Sequence, residues 1–195
     1  MRAPAPDVHA VPRSLRAGDR AHTRAMDPSE HAGALTALEE QIDGLEHPSD
    51  LLVLSTKIDD LGRQLALELQ RLALEPARMA PLKPVLLRVP VVHTRALLRC
   101  AEKLDDLGSP RRAVRVLLEA LRKAFDANMV EMVVDALVFT LDAFEQRAAT
   151  ARLRALLEPL PDASRREARV RHMGIVDELI ALIEWAALDD ELGYD

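Results

Sequence analysis

The sequence predicts an all-α bundle or short solenoid of about seven to eight helices, packed as antiparallel helical hairpins. Of the 195 residues, 49% are apolar but only 3% are aromatic, so the apolar mass is almost all Leu, Ala and Val. Long stretches carry apolar residues at helical spacings, and Pro or Gly separates these stretches. A chain of this length can bury one core, so residues 27–195 are predicted to form a single helical domain.

Residues 1–26 differ from the rest of the chain. They contain five Arg, two Asp and three Pro, with almost no apolar periodicity, and their net charge is +3. Such a segment buries too little apolar surface to offset the entropy of ordering, so we predict a disordered N-terminal tail. The whole chain is acidic, with a net charge of −6.

Apolar periodicity predicts three helices in the first half of the domain, each ended by Pro or Gly. Their approximate ranges are 28–46, 50–61 and 63–75. Residues 76–90 contain four prolines, a spacing that forbids a long regular helix, so we predict a packed, irregular connection there.

Five more helices are predicted after this connection. Ser109 and Pro110 begin the second of them, and Ser164 and Glu167 form a capping box at the start of the last. The approximate ranges are 94–107, 110–127, 128–146, 149–158 and 164–190.

The hexapeptide KIDDLG at residues 57–62 returns as KLDDLG at residues 103–108. In each copy the glycine follows the last periodic apolar residue, where a helix turns back through a left-handed conformation that Gly adopts without strain. Gly62 and Gly108 are therefore predicted to be structural helix-end glycines. A looser LDDELG at residues 188–193 has no helix after it, and we interpret it as chance.

Residues 94–127 resemble a tetratricopeptide repeat, a helix-turn-helix unit of about 34 residues. The matching positions are Ala101, Leu104, Gly108, Ala113, Leu117 and Ala120. Residues 128–161 match with a two-residue insertion, and residues 48–75 match with a shorter turn at Gly62. The resemblance implies a short solenoid of stacked hairpins whose concave face holds a peptide or a partner helix, without catalysis.

Four acids lie along the helix NMVEMVVDALVFTLDAFEQR, on a strip about 80 degrees wide. This acid stripe consists of Glu131, Asp135, Asp142 and Glu145. Most of the other positions, including Met132, are apolar, so we interpret the helix as packed between neighbours with one narrow face open. The stripe is either that helix's solvated edge or the lining of a groove that binds a basic, amphipathic partner segment. A carboxylate metal site is a third reading, but no Glu-x-x-His pair or His cluster accompanies the acids.

The last helix has a wider apolar arc than a simple surface helix needs. It is interpreted as a cap on the array, as part of the core, or as a homodimer seam, and Trp185 is a candidate anchor for a partner. The chain has no Gly-x-Ser-x-Gly turn, no Cys signature and no phosphate-binding glycine loop, so we predict no enzyme activity and no cofactor.

We therefore predict a non-catalytic protein-interaction module: an adaptor, a scaffold or a chaperone-like protein. The alternative is a DNA-associated regulator that uses Arg-rich helix faces, although the acidic charge and the scarcity of aromatic residues disfavour nucleic acid. With 22 Arg against 4 Lys, the composition is typical of a GC-rich bacterial genome. A lone Cys100, the absence of a long apolar segment and the absence of a secretion signal predict a cytoplasmic location without membrane contact.

Overall fold

The computed structural model describes residues 28–142, 144 and 146–191, with side chains described as far as residue 183. This part of the chain is helical and contains no strand, which confirms the all-α prediction. The tail predicted over residues 1–26 lies outside the described residues. The helices are α1 (Pro28–Ile42), α2 (Pro48–Arg71), α3 (Pro76–Met79), α4 (Leu82–Asp106), α5 (Pro110–Ala127), α6 (Val130–Asp142), α7 (Arg147–Leu157) and α8 (Arg165–Glu191).

A proline begins four of these helices. Proline suits the first helical position because its φ is already helical and its missing N–H has no partner to lose there. The four are Pro28, Pro48, Pro76 and Pro110. Each of these prolines therefore marks a helix start, and the chain uses few side-chain caps for that purpose.

Contacts near the helix ends give the directions of the first three long helices. His31, near the start of α1, lies 2.8 Å from Glu68, near the end of α2 (Nε2 to Oε2). The thiol of Cys100, late in α4, donates to the carbonyl of Pro48, the first residue of α2, at 3.5 Å. Helix α2 is thus antiparallel to both α1 and α4, and α1 runs parallel to α4.

The second half of the chain packs onto α5. A tight turn at Gly108 makes α5 antiparallel to α4, and α5 also contacts α6 and α8. His172 of α8 donates from Nε2 to the carbonyl of Leu121 at 2.9 Å, and Arg169 pairs with Asp126 at 2.8 Å, so α8 is antiparallel to α5. The core between these layers is aliphatic. Its most deeply buried large side chains include Leu35, Leu51, Ile58, Leu65, Leu121, Leu137, Leu153 and Leu179.

The helix end predicted at Gly62 is wrong, because α2 continues through this residue to Arg71. Gly62 lies where α2 crosses α4: a Cβ built on it would be 2.8 Å from Cγ1 of Val89. Close packing between the helices explains the glycine, and it outweighs the roughly 1 kcal/mol by which Gly weakens a helix relative to Ala. The helical hairpin predicted over residues 48–75 is therefore wrong as well.

The irregular connection predicted over residues 76–90 is also wrong in its second half. Helix α4 begins at Leu82, well before the predicted start, and it contains Pro90 in its interior. Pro84 lies in the first turn, where a missing N–H leaves no hydrogen bond unmade. Pro90 does remove one helical bond, but α4 packs against α1, α2 and α5, and this burial on three sides holds the helix together.

Gly108 has the conformation that its predicted role requires. Its φ is +66°, its N–H bonds to the carbonyl of Asp105 at 2.8 Å, and the N–H of Ser109 bonds to the carbonyl of Leu104 at 2.8 Å. These two bonds form the reversed turn that satisfies the last carbonyls of a helix. Asn128, with φ 56°, ends α5 in the same left-handed conformation.

Helix α8 is the longest in the described part of the chain, at 27 residues. Its predicted capping box is confirmed: the Glu167 carboxylate accepts from the Ser164 N–H at 2.7 Å, and the Glu167 N–H donates to the Ser164 hydroxyl at 3.3 Å. Neither α8 nor any other described helix has the length and apolar character needed to cross a membrane.

Two glycines lie inside helices without any packing reason. A Cβ on Gly33 of α1 or on Gly174 of α8 would meet no atom within 4 Å. Gly33→Ala and Gly174→Ala are each expected to raise the free energy of unfolding by about 0.5 to 1 kcal/mol, because Ala loses less backbone entropy in a helix. Urea unfolding followed by circular dichroism measures this, and an unchanged or lower midpoint for both variants would contradict the helical assignment of these positions.

Candidate partner-binding surface

The acid stripe lies on α6, which packs against α5 and α7. Glu131, Asp135 and Asp142 are exposed, as the prediction of an open narrow face requires. The opposite side of the helix is buried, and its most deeply buried residues are Val133, Val134, Leu137 and Leu141. Glu145 falls beyond the end of α6 and lies outside the described residues.

Two large apolar side chains share this open face. Phe139 is 75% exposed and Met132 is 56% exposed. At about 100 degrees per residue, both fall within an arc of about 100 degrees that also holds the acids. We define the α6 face as Glu131, Met132, Asp135, Phe139 and Asp142.

The exposure of Met132 corrects the prediction that the apolar positions of this helix are packed between neighbours. Phe139 is missing from the sequence-based site, although a signal for it exists. It lies one helical turn after Asp135 and therefore on the same helix face as the acids, which the sequence predicts to be exposed. An aromatic ring on a solvated side of a helix is a stronger indication of a binding surface than the acids alone.

The acids of the α6 face make no ion pair with any described residue. Elsewhere the acids of the chain are commonly paired: Glu39 binds Arg88 and Arg95, each at 2.6 Å, on the surface of α1 and α4. Helix α6 itself contains no Lys or Arg. The α6 face therefore carries three negative charges without a counterion among the described residues. Within the described residues, no three His, Cys, Asp or Glu side chains are placed to hold a metal ion.

Trp185, the other candidate anchor, lies in the C-terminal part of α8. Its side chain is outside the described residues. Its anchoring role and the homodimer seam therefore stay predictions.

A polar cluster joins α2, α4 and α5, with Ser55 and His93 buried and Lys123 and Asp59 32% and 35% exposed. The hydroxyl of Ser55 and Nε2 of His93 are hydrogen-bonded at 2.8 Å, and Nδ1 of His93 lies 3.7 Å from Oδ1 of Asp59. Lys123 donates to the same Asp59 oxygen at 2.9 Å, and Arg63 pairs with the other at 3.2 Å. Ser55 and Asp59 are one turn apart on α2, but their separation in sequence from His93 and Lys123 hides the cluster from pattern analysis.

Ser55 contacts His93, and His93 lies near Asp59, as in a serine-type catalytic triad. The positions of these residues in the fold do not support catalysis. Ser55 lies inside α2, so the neighbouring N–H groups are bonded within the helix and cannot form an oxyanion hole. Both Ser55 and His93 are buried, which leaves no room for a substrate. The 3.7 Å separation is also too long for a hydrogen bond. This cluster fixes three helices relative to one another.

Burial is the main cause that lowers the pKa of His93 to about 4, and the nearby Lys123 ammonium adds to this effect. The pKa of Asp59 is also lowered, first by the hydrogen bond from Lys123. At neutral pH the cluster therefore contains a neutral imidazole beside an ion pair. A histidine with so low a pKa is a poor general base near pH 7.

The DNA alternative would use the Arg-rich faces of α5 and α8, and these faces are partly engaged within the chain. On α5, Arg122 pairs with Glu119 at 3.3 Å and Lys123 with Asp59 at 2.9 Å. On α8, Arg169 and Arg171 pair with acids, and the Arg165 guanidinium lies 5.9 Å from the centroid of the Phe125 ring. These contacts reduce the charge available for phosphates.

The exposed acids and apolar side chains of the α6 face are the candidate partner-binding feature in the described part of the chain. They are the basis for a functional assignment, since no protein-family model, no curated protein and no solved structure matches this chain.

Proposed function

We propose that the protein is a non-catalytic interaction module whose α6 face binds a basic, amphipathic segment of a partner protein. The single observation that carries the proposal is Phe139, three-quarters exposed between acids that have no counterion in the described residues. A partner helix with one apolar side chain flanked by Lys or Arg matches this chemistry. The role is that of an adaptor, a scaffold or a chaperone-like protein.

The two parts of the α6 face contribute differently to binding. Burying an aromatic side chain such as that of Phe139 stabilises a complex by about 2 to 3 kcal/mol. The acids at Glu131, Asp135 and Asp142 mainly select a basic partner, orient it and raise its association rate. We therefore expect binding to weaken with added salt but to persist.

The tetratricopeptide-like arrangement belongs to the same proposal. Its support is the pair α4 and α5, joined by the tight turn at Gly108, in which the matching small residues Ala101, Ala113 and Ala120 are all buried. A cytoplasmic, bacterial setting and a homodimer through α8 complete the proposal, and they derive from the sequence alone.

Capture from a lysate of the source cells tests the proposal, with the full chain as bait. Recovery of the partner is expected to fall at least about tenfold when Glu131→Gln, Asp135→Asn and Asp142→Asn are combined, and likewise with Phe139→Ala. The matched control combines Glu40→Gln, Asp105→Asn and Asp106→Asn, which removes the same charge from three exposed acids elsewhere. Equal recovery by all baits would contradict the proposal, and recovery of nucleic acid alone would favour the DNA alternative.

A further inference from the structure

Three residues of the α6 face surround a fourth residue, Ala136, at the spacing by which helices pack side by side. The four positions i, i+3, i+4 and i+7 hold Met132, Asp135, Ala136 and Phe139. Residues at this spacing form the hole of a coiled coil, which receives one side chain from the facing helix. Met132, Asp135 and Phe139 are exposed, and Ala136 is half-buried with the smallest side chain of the four. The floor of the hole is therefore low enough for a large aliphatic side chain to enter.

The charges beside this hole lie on one flank. Asp135 and Asp142 are seven residues apart, and both are exposed. Val133 and Thr140, on the opposite flank, have the same spacing but are buried, and the Thr140 hydroxyl donates to the Ala136 carbonyl at 2.9 Å. Within a heptad the acids occupy g positions, where coiled coils place the charges that select a partner. The buried pair offers no charge, so a cation finds its match on the acidic flank alone.

The distance between the two acids favours a helix as the bound segment. Seven residues of helix rise about 10.5 Å, so cations seven residues apart on a partner helix face Asp135 and Asp142 together. Residues on one side of an extended strand recur about every 6.6 Å, which does not match this distance. Neither acid is paired with a described residue, so both are available to a ligand.

We propose that the segment bound by the α6 face is an amphipathic helix that packs along α6 as in a two-stranded coiled coil. One large aliphatic side chain of this helix enters the hole, and Arg or Lys residues seven apart pair with Asp135 and Asp142. The inference rests on the proposed function and names the pattern that the partner must carry. Its apolar residues alternate at spacings of three and four, and its cations repeat along one edge of the apolar stripe. A basic segment without this pattern is a poor ligand, whatever its charge.

Two peptides of equal composition test the placement of charge. Each has about 18 residues with Leu at the a and d positions, and Arg occupies the g positions of one peptide and the f positions of the other, away from the apolar stripe. Fluorescence anisotropy with the full chain is expected to give a Kd at least about tenfold lower for the g peptide. Combining Asp135→Asn and Asp142→Asn is expected to remove this difference, while the Asp105→Asn and Asp106→Asn control keeps it. Equal Kd values for the two peptides on the unmodified chain, or a difference that survives in the α6 variant, would overturn the inference.

Filling the hole tests its role. Ala136→Leu is expected to raise the Kd of the g peptide at least about tenfold, whereas Ala151→Leu, at an exposed alanine of α7, leaves it unchanged. A g peptide whose central Leu is changed to Ala is expected to bind the Ala136→Leu chain more tightly than the unmodified chain. Because Ala136 also packs against the core, the same comparison is made with the smaller Ala136→Val. An unchanged Kd for both Ala136 variants, or a shortened peptide that still prefers the unmodified chain, contradicts the inference.

The two proposals can fail separately. Peptides that bind without regard to the placement of Arg, together with partner capture that still requires Phe139 and the α6 acids, would overturn the helical pattern alone. A g peptide that binds with the expected dependence on Ala136, in a chain that captures no protein from the lysate, would overturn the proposed function alone.

Discussion

Replacing Gly62 by valine is expected to destabilise the protein by about 3 kcal/mol. The first carbon of the new side chain would lie 2.8 Å from Cγ1 of Val89, and two further methyl groups would enter the same crossing of α2 and α4. Val89 is buried and β-branched, so one rotamer is strongly preferred within a helix and moving to another is costly. Urea unfolding followed by circular dichroism gives the free energy change.

A loss of stability in Gly62→Val does not by itself distinguish helix packing from a helix end. The distinguishing variant is Gly62→Ala, measured with Val89 intact and with Val89→Ala. In the intact background Gly62→Ala is expected to destabilise, because its Cβ overlaps Val89 Cγ1. With Val89→Ala the overlap is removed, and Gly62→Ala should be neutral or stabilising by up to about 1 kcal/mol. An equal effect of Gly62→Ala in both backgrounds would contradict the packing explanation.

Acidification from pH 7 is expected to destabilise the protein through His93 well before the carboxylates titrate. The pKa of His93 is about 4 in the folded chain against the ordinary 6.5, so the unfolded chain binds the proton first. The contribution of His93 to the free energy of unfolding is complete above about pH 6.5 and is lost as the pH falls toward 4, by about 3 kcal/mol in total. Below this range both states are protonated at His93, and its contribution no longer changes.

Asp59 and Lys123 face His93 across the cluster. The pKa of Asp59 is lowered, first by the hydrogen bond from Lys123, so Asp59 contributes stability that is lost only below its ordinary value of 3.8 and does not reverse this direction. Burial also lowers the pKa of His172, which adds a loss of the same sign. A His93 variant therefore removes only part of the dependence of the free energy of unfolding on pH.

The measurement is the free energy of unfolding at about pH 7 and about pH 4.5 for wild type and for His93→Gln. The variant is expected to lose less stability over this interval than wild type, whatever its stability at pH 7. His47→Gln, at an exposed position, is the control and is expected to lose as much stability over this pH interval as wild type. Identical slopes for wild type and His93→Gln would show that His93 does not remain neutral in the folded chain.

Helix content and several helix ends were predictable because they depend on local chemistry. Pro28 and Pro110 begin helices, Ser164 and Glu167 form a capping box, and Gly108 turns the chain. The two copies of the hexapeptide differ in the residues that come after them. Gly108 is succeeded by Ser109 and then Pro110, which begins a new helix, whereas good helix formers succeed Gly62. The residues after each glycine therefore indicate a helix end at Gly108 but not at Gly62.

The errors arise where tertiary packing overrides local preference. Gly62 and Pro90 both weaken a helix in isolation, yet α2 and α4 continue through them because the two helices pack against each other. The cluster of His93 and Lys123 with Asp59 depends on three helices meeting and has no local signature. The exposure of Phe139 could have been predicted from the sequence, because its position relative to the acids follows from helical geometry alone.

Titration calorimetry with the captured partner tests directly whether the α6 face binds it. The Kd is to be measured for wild type, for Phe139→Ala and for Leu87→Ala, a control at an equally exposed apolar residue on α4. We expect a Kd at least about tenfold higher for Phe139→Ala and an unchanged Kd for Leu87→Ala. An unchanged Kd for Phe139→Ala would contradict the claim and place the binding surface elsewhere.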